Sequence, residues 1–186
     1  MVYINDNVDL LDLDLALAQV SAQRREQALR FRFESGRRLC IAAYLLLMEG
    51  LQKEYGITEK PVFDYSEKGK PSIKGHPDIH FSFSHSGKIA LCALSNQPVG
   101  ADVEALRNIS PSLIRYTMND DEQTLINTSQ NPTMQFLFFW TRKEALLKLT
   151  GDGIRNDIKD VLTEADKYHI ETVTMGPYIY SIANYL

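Results

Sequence analysis

Asp102 and Glu104 stand two apart in the run PVGADVEAL, Pro98 to Leu106. Side chains alternate faces along an extended strand, so residues two apart point the same way. Two like charges on one face of a half-buried strand repel each other and lose hydration. A hard divalent cation, which takes carboxylate oxygens, would relieve both effects. The plain alternative is a strand edge with both acids in water. Further along, FLFFWTRKEALLKL (Phe136 to Leu149) is nearly all apolar apart from Arg142, Lys143, Glu144 and Lys148. Trp140, Glu144 and Lys148 are spaced by four and share one helical stripe. An ordinary Glu-to-Lys pair would explain the last two, at about 0.2–0.5 kcal/mol. Aromatic and leucine bulk on both sides leaves only a narrow polar face, which allows Glu144 to add a third carboxylate to Asp102 and Glu104.

Two other places depart from plain fold-building. In FSFSHSGK, Ser84, His85 and Ser86 precede a glycine turn and offer hydroxyls, an imidazole and backbone N–H groups together, a combination suited to phosphate. A histidine at a strand end is more often structural, and Ser and His as sequence neighbours do not make the spaced triad of a serine protease. In EKGKPSI, Lys70 lies between Gly69 and Pro71. It reads either as a surface lysine in a turn or as a rigidly held cation facing a phosphate.

The elements that would position these groups follow from pattern and punctuation. VYI (Val2 to Ile4) opens as a strand, and a leucine-rich helical piece runs from about Asp9 to Val20. Ser21 caps the helix AQRREQALRF. A longer helix spans about Glu34 to Tyr55, with Leu39, Ala43, Leu47 and Leu51 at helical spacing and Gly56 as its stop. Pro61 to Asp78 is a strand and then loop. Ile79, Phe81 and Phe83 alternate with His80, Ser82 and Ser84 as in a half-buried strand. After the turn at Gly87, KIALCALS is apolar on both faces, as a central strand should be. Ser110-Pro111 and Asn131-Pro132 each read as N-cap and N1 of a helix. The second helix runs from about Thr133 to Thr150, with Gly151 as C′. The tail reads as a hairpin turning at Met175-Gly176-Pro177. Each part of the chain on either side of the Pro98 turn therefore holds helices and antiparallel strands: an α+β fold divided into residues 1–97 and 98–186.

Bulk properties narrow the function. The 186 residues are 44% hydrophobic and 24% charged, the composition of an ordinary globular protein with a real core. A net charge of −4 lacks the basic excess of a nucleic-acid binder. Cys40 and Cys92 each lie within an apolar run, as buried thiols do in a reducing cytosol. The acidic N-terminus lacks the basic start of a secretory signal. The longest apolar run, Cys40 to Met48, is far shorter than the roughly 20 residues of a membrane helix. A cytoplasmic protein is expected.

In chain order, Gly69-Lys70-Pro71, FSFSHS, Gly100-Ala101-Asp102-Val103-Glu104 and FFWTRKEALLK resemble the 4′-phosphopantetheinyl transferase superfamily. Its pattern is G-K-P, F-x-x-S-H-S, G-x-D-x-E and W-x-x-K-E-A-x-x-K with similar gaps. RREQALRFRF…RRL also resembles its basic first helices. The likeness covers about Arg25 to Lys148, and its last two motifs are the specific ones.

The resemblance implies transfer of the phosphopantetheine arm of coenzyme A to a serine of an apo acyl or peptidyl carrier protein, with release of 3′,5′-ADP. It implies a pseudo-dimer of two similar α+β halves in one chain, monomeric, with coenzyme A in the cleft between them; shorter holo-acyl-carrier-protein synthases form trimers instead. Residue by residue, it implies Asp102, Glu104 and Glu144 as Mg²⁺ ligands and Lys143 and Lys148 near the phosphates. Ser84 and His85 would meet the ribose 3′-phosphate, Lys70 and Pro71 the nucleotide. Arg30 and Arg37 would grip the same 3′-phosphate, at a spacing shorter than the family's. Ala101 is smaller than the family's usual Ile or Val. Attack by the carrier serine on the β-phosphorus would use Lys148 for charge stabilisation and Glu144, or a water it orients, as base. The rival functions are a non-catalytic coenzyme A binder of the same fold and a Mg²⁺-dependent phosphohydrolase.

Overall fold

A computed structural model describes residues 1–153 and 158–186. Among them are eight strands and six α-helices. The first part of the chain forms β1 (Val2–Asn5), α1 (Leu13–Gln19), α2 (Ala22–Leu29), α3 (Glu34–Tyr55) and the short pair β2 (Phe63–Tyr65) and β3 (Pro71–Ile73). It ends with the hairpin β4 (His80–Ser86) and β5 (Ile89–Ser95). The second part opens with β6 (Val99–Ala105), continues through α4 (Pro111–Thr117), α5 (Asp120–Thr128) and α6 (Pro132–Thr150), and closes with the hairpin β7 (Tyr168–Met175) and β8 (Tyr178–Tyr185).

Local chemistry sets most of these bounds. Ser21 caps α2 by accepting from the Arg24 amide. Gly56 and Gly151 end α3 and α6 in the left-handed region, at φ of 67° and 75°, where an L side chain is strained. The helical piece expected over residues 9–20 is split into a 3₁₀ turn (Val8–Leu10) and α1, because the Asp12 side chain caps a fresh start at the Leu15 amide. Where the sequence marks one helix after Ser110, the structure has two. Met118 is extended, and Asn119 and Glu122 form a capping box that starts α5.

Beside the two-stranded β2-β3 sheet, the two larger sheets are antiparallel and three-stranded, ordered β1-β5-β4 and β6-β8-β7. Each is built from a strand, a helical stretch and a hairpin, and in each the leading strand pairs with the second strand of the hairpin. The double apolar face of β5 now has its reason. Ala90, Cys92 and Leu94 pack in the core of α3 with Ile41, Tyr44 and Leu47, whereas Ile89, Leu91 and Ala93 pack on Val99, Ala101 and Val103 of β6. Cys40 and Cys92 are both buried free thiols. No helix among the described residues is long and apolar enough to cross a membrane.

Candidate active site

β6 is the outer strand of the second sheet, so alternate backbone N–H groups on its far side have no strand partner. Three hydroxyls from β4 take them. Ser82, Ser84 and Ser86 accept from the amides of Ala101, Val103 and Ala105 at 2.9, 3.1 and 3.1 Å. The period of two is the same on both strands, so this ladder fixes the register of one sheet against the other.

On its other side β6 carries α6. A Cβ at Gly100 would overlap the Ala145 carbonyl oxygen and the Leu149 amide nitrogen, so the absence of a side chain there is what lets the helix lie on the strand. That approach brings Glu144 and Lys148 over the acids of β6. Lys148 Nζ donates to Asp102 Oδ1 at 2.7 Å and to Ser84 Oγ at 3.0 Å, and Ser84 donates in turn to Asp102 Oδ1 at 2.8 Å. Glu104 accepts from Trp140 Nε1 at 3.1 Å and from Ser86 Oγ at 2.7 Å.

Of the three carboxylate oxygens that remain, two are buried. Asp102 Oδ2 and Glu144 Oε1 are buried without a hydrogen-bond partner, an arrangement that disfavours the ionised forms. Burial raises the Asp102 carboxyl above its usual range, against the pull of Lys148 and Ser84. Glu144 is pushed up to about 7, first by burial and then by the charge of Asp102, with Lys148 opposing and Glu104 adding to the rise. The three acids thus sense one another electrostatically. Even so, no three His, Cys, Asp or Glu side chains among the described residues are gathered into a metal-coordinating group.

Two cavities meet at this cluster and share Phe83 and Lys148. One, of about 340 Å³, is walled by Lys70, Pro71, Phe81, Glu144 and Leu147. The other, of about 290 Å³, is walled by Arg24, Phe31, Ser84, His85, Asp102 and Glu104. His85 lies at the surface of the second; desolvation by its surroundings and the nearby Lys148 ammonium hold its imidazole below the usual value.

The remaining sequence candidates have other partners. Lys143 is turned away from the cluster. One residue from Glu144 on a helix is about 100° of rotation, and Lys143 is fully buried on Glu122 (2.6 Å) and the carbonyls of Thr117 and Lys159 (both 2.9 Å). The expected place near the phosphates is therefore corrected: this lysine ties α5 and the segment after α6 to the helix. Lys70 lines the first cavity, but its ammonium caps the end of α6 by donating to the Leu149 carbonyl at 2.6 Å. Arg30 is exposed and pairs with Glu26, and Arg37 donates to the Phe31 carbonyl. Neither lines either cavity.

Sequence reasoning missed Arg24. Its guanidinium donates to the Cys40 carbonyl through two nitrogens, at 3.1 and 2.6 Å, and to Gln27 Oε1 at 2.9 Å, beneath the Phe83 ring at 5.1 Å. It is buried, which lowers its pKa, and no carboxylate among the described residues pairs with it. Its burial shows only in the packing, where Arg24 and Ala28 are the buried residues of α2.

The family model for the 4'-phosphopantetheinyl transferase superfamily matches residues 98–182, the part that holds the three acids. The 4'-phosphopantetheinyl transferase HetI of Nostoc sp. is 35% identical over 170 residues, covering 86% of this chain and 71% of its own. The chain belongs to the 4'-phosphopantetheinyl transferase superfamily. Two further phosphopantetheinyl transferases are similar. Psf-1 of Bacillus pumilus is 33% identical over 138 residues, 73% of this chain and 59% of that one. Sfp of Bacillus subtilis is 26% identical over 156 residues, 82% and 70%. The stretch matched by the family model includes β6 and α6, which carry the three acids.

Proposed function

We propose that this protein moves 4′-phosphopantetheine from coenzyme A to a serine hydroxyl of an apo acyl or peptidyl carrier protein and releases 3′,5′-ADP. The observation that carries the reading is that Lys148, which lines both cavities and pairs with Asp102, stands between Glu144 in the wall of one and Asp102 in the wall of the other. A pair of buried carboxylate oxygens lacking partners beside an ammonium suits a pyrophosphate with its counter-ion better than it suits a plain fold. The connectivity repeated on either side of Pro98 supports a pseudo-dimer of residues 1–97 and 98–186; we take the chain to work as a monomer in the cytoplasm.

The donor chemistry suits Mg²⁺ once the three carboxylates are drawn together. The unpartnered oxygens of Asp102 and Glu144 and the third carboxylate of Glu104 are the hard donors such an ion takes, and they would hold it. When bound, Mg²⁺ supplies charge neutralisation at the pyrophosphate. The chain's own residues do the rest. Lys148 stabilises charge on the departing 3′,5′-ADP, and Arg24 and His85 face its ribose phosphate. Lys70 and Pro71 border the nucleotide. A carboxylate that holds a cation is a weak base, so the serine proton passes to a water that Glu144 orients. Positioning and fixed charge carry the rate, as in other phosphoryl transfers.

The test is to incubate the protein with coenzyme A, Mg²⁺ and an apo carrier protein and weigh the carrier by mass spectrometry. A phosphopantetheine adduct is expected. An unmodified carrier with intact coenzyme A would mean a binder, and coenzyme A cleaved with no adduct a hydrolase.

A further inference from the structure

Glu104 is held at both oxygens by groups that no motif role explains. One oxygen accepts from the Trp140 indole at 3.1 Å, the other from the Ser86 hydroxyl at 2.7 Å. The Arg107 guanidinium lies farther off, at 3.7 Å and exposed, where an ion pair contributes little. We infer that Ser86 and Trp140 are positioning residues that aim the Glu104 carboxylate at the shared site. The inference rests on the reading above, in which Glu104 helps to hold a cation.

The geometry of Ser86 is specified rather than incidental. A hydroxyl has one proton to give. Because the Ala105 amide already donates to Ser86 Oγ at 3.1 Å, the oxygen is fixed and its proton is directed to Glu104. The same unit occurs two residues earlier, where Ser84 accepts from the Val103 amide and donates to Asp102. The serine ladder between β4 and β6 therefore does two things at once: it closes the strand edge and it orients an acid at each of two rungs.

Trp140 acts from the other side. Its ring lies parallel to Phe136 one turn earlier on α6, at 6.2 Å and 10°, which fixes the direction of its N–H. One turn later the same helix carries Glu144. An indole anchored on Glu104 thus ties the strand acid to the helix that brings the third carboxylate. Donors of this kind behind metal-binding carboxylates typically change metal affinity by about 10- to 100-fold.

The experiment titrates Mn²⁺ into the protein with coenzyme A present and reads free Mn²⁺ by electron paramagnetic resonance, alongside kcat and KM. Trp140→Phe keeps an aromatic ring, though a smaller one, and loses the N–H; Ser86→Ala loses the hydroxyl, and Ser86→Thr restores it. Trp140→Phe and Ser86→Ala should each weaken Mn²⁺ binding by about tenfold or more and lower kcat with an unchanged KM for coenzyme A, and Ser86→Thr should recover both. Should Trp140→Phe fail to fold, the Ser86→Ala and Ser86→Thr pair decides alone. Wild-type Mn²⁺ affinity in the folded variants overturns the inference and leaves the cation reading standing. A wild-type protein that binds no Mn²⁺, or binding untouched by Asp102→Ala, overturns both.

Discussion

Lys148 on α6 and Asp102 on β6 form a 2.7 Å ion pair, with Ser84 hydrogen-bonded to both partners. Asp102 is buried and Lys148 reaches it from a partly open position, so the ammonium is a principal compensation for a carboxylate far from water. Replacing it with Met should reduce kcat by about 10²-fold or more, the scale on which a single charge-stabilising donor acts. Carrier modification followed by mass spectrometry under single-turnover conditions measures this. A rate near wild type would remove Lys148 from the transition state.

Gly100 governs how closely α6 approaches β6. In Gly100→Ala the new methyl would stand 2.9 Å from the Leu149 Cα and overlap helix backbone, which no side-chain rotation relieves. Overpacking of this kind costs about 1–3 kcal/mol, and displacing α6 also moves Glu144 and Lys148 off the β6 acids. Thermal melting should fall by several degrees, and activity should fall further than the unfolded fraction explains. Unchanged melting and turnover would show that the helix does not depend on that contact.

Lys143 separates fold from chemistry. Its ammonium is fully buried on Glu122, and burial lowers its pKa against the pull of that carboxylate. Breaking a buried pair from one side costs about 3–5 kcal/mol, so Lys143→Met should melt on the order of 10 °C lower. The KM for coenzyme A of the folded fraction should not move. A raised KM with an intact melting temperature would return Lys143 to the phosphates.

Glu144 predicts a pH dependence with a definite sign. Its carboxyl, ordinarily near 4.5, is raised to about 7 in the fold, so between these values the folded chain holds a proton that the unfolded chain has released. Stability should therefore fall as pH rises through that window and then level off; the raised Asp102 carboxyl acts in the same direction. Glu144→Gln should flatten its share of the slope in melting curves taken from about pH 5 to pH 8. A bound cation favours the ionised carboxylate, so added Mg²⁺ should stabilise the protein more at the upper end than at the lower. Equal stabilisation at both ends would place the ion elsewhere.

What the sequence revealed and what it hid follow from how local each signal is. Gly56 and Gly151 stop α3 and α6 through their own backbone, and the turn before Tyr178 is written in Gly176-Pro177; such features need no tertiary partner. The capping box that starts α5 is equally local, in Asn119 and Glu122, and the Ser110-Pro111 start ahead of it drew the eye away. Of the candidate site, the acids Asp102 and Glu104 were legible as a pair from their spacing of two, and Glu144 with Lys148 from their spacing of four. Lys143 was not legible, because α6 is apolar nearly all round and its pattern does not say which face meets β6 and which meets α5. Arg24 was hidden for a related reason: a basic helix reads as a solvated face until packing shows which of its arginines lies inward.

The account stands on three acids, from β6 and α6, holding one cation beside a pyrophosphate. The most direct measurement is an anomalous difference map from crystals grown with MnCl₂ and coenzyme A. It should show one manganese peak in contact with the carboxylates of Asp102, Glu104 and Glu144 and with the coenzyme A pyrophosphate. Coenzyme A bound with no manganese at these side chains, or with Glu144 directed away from the ion, would contradict it.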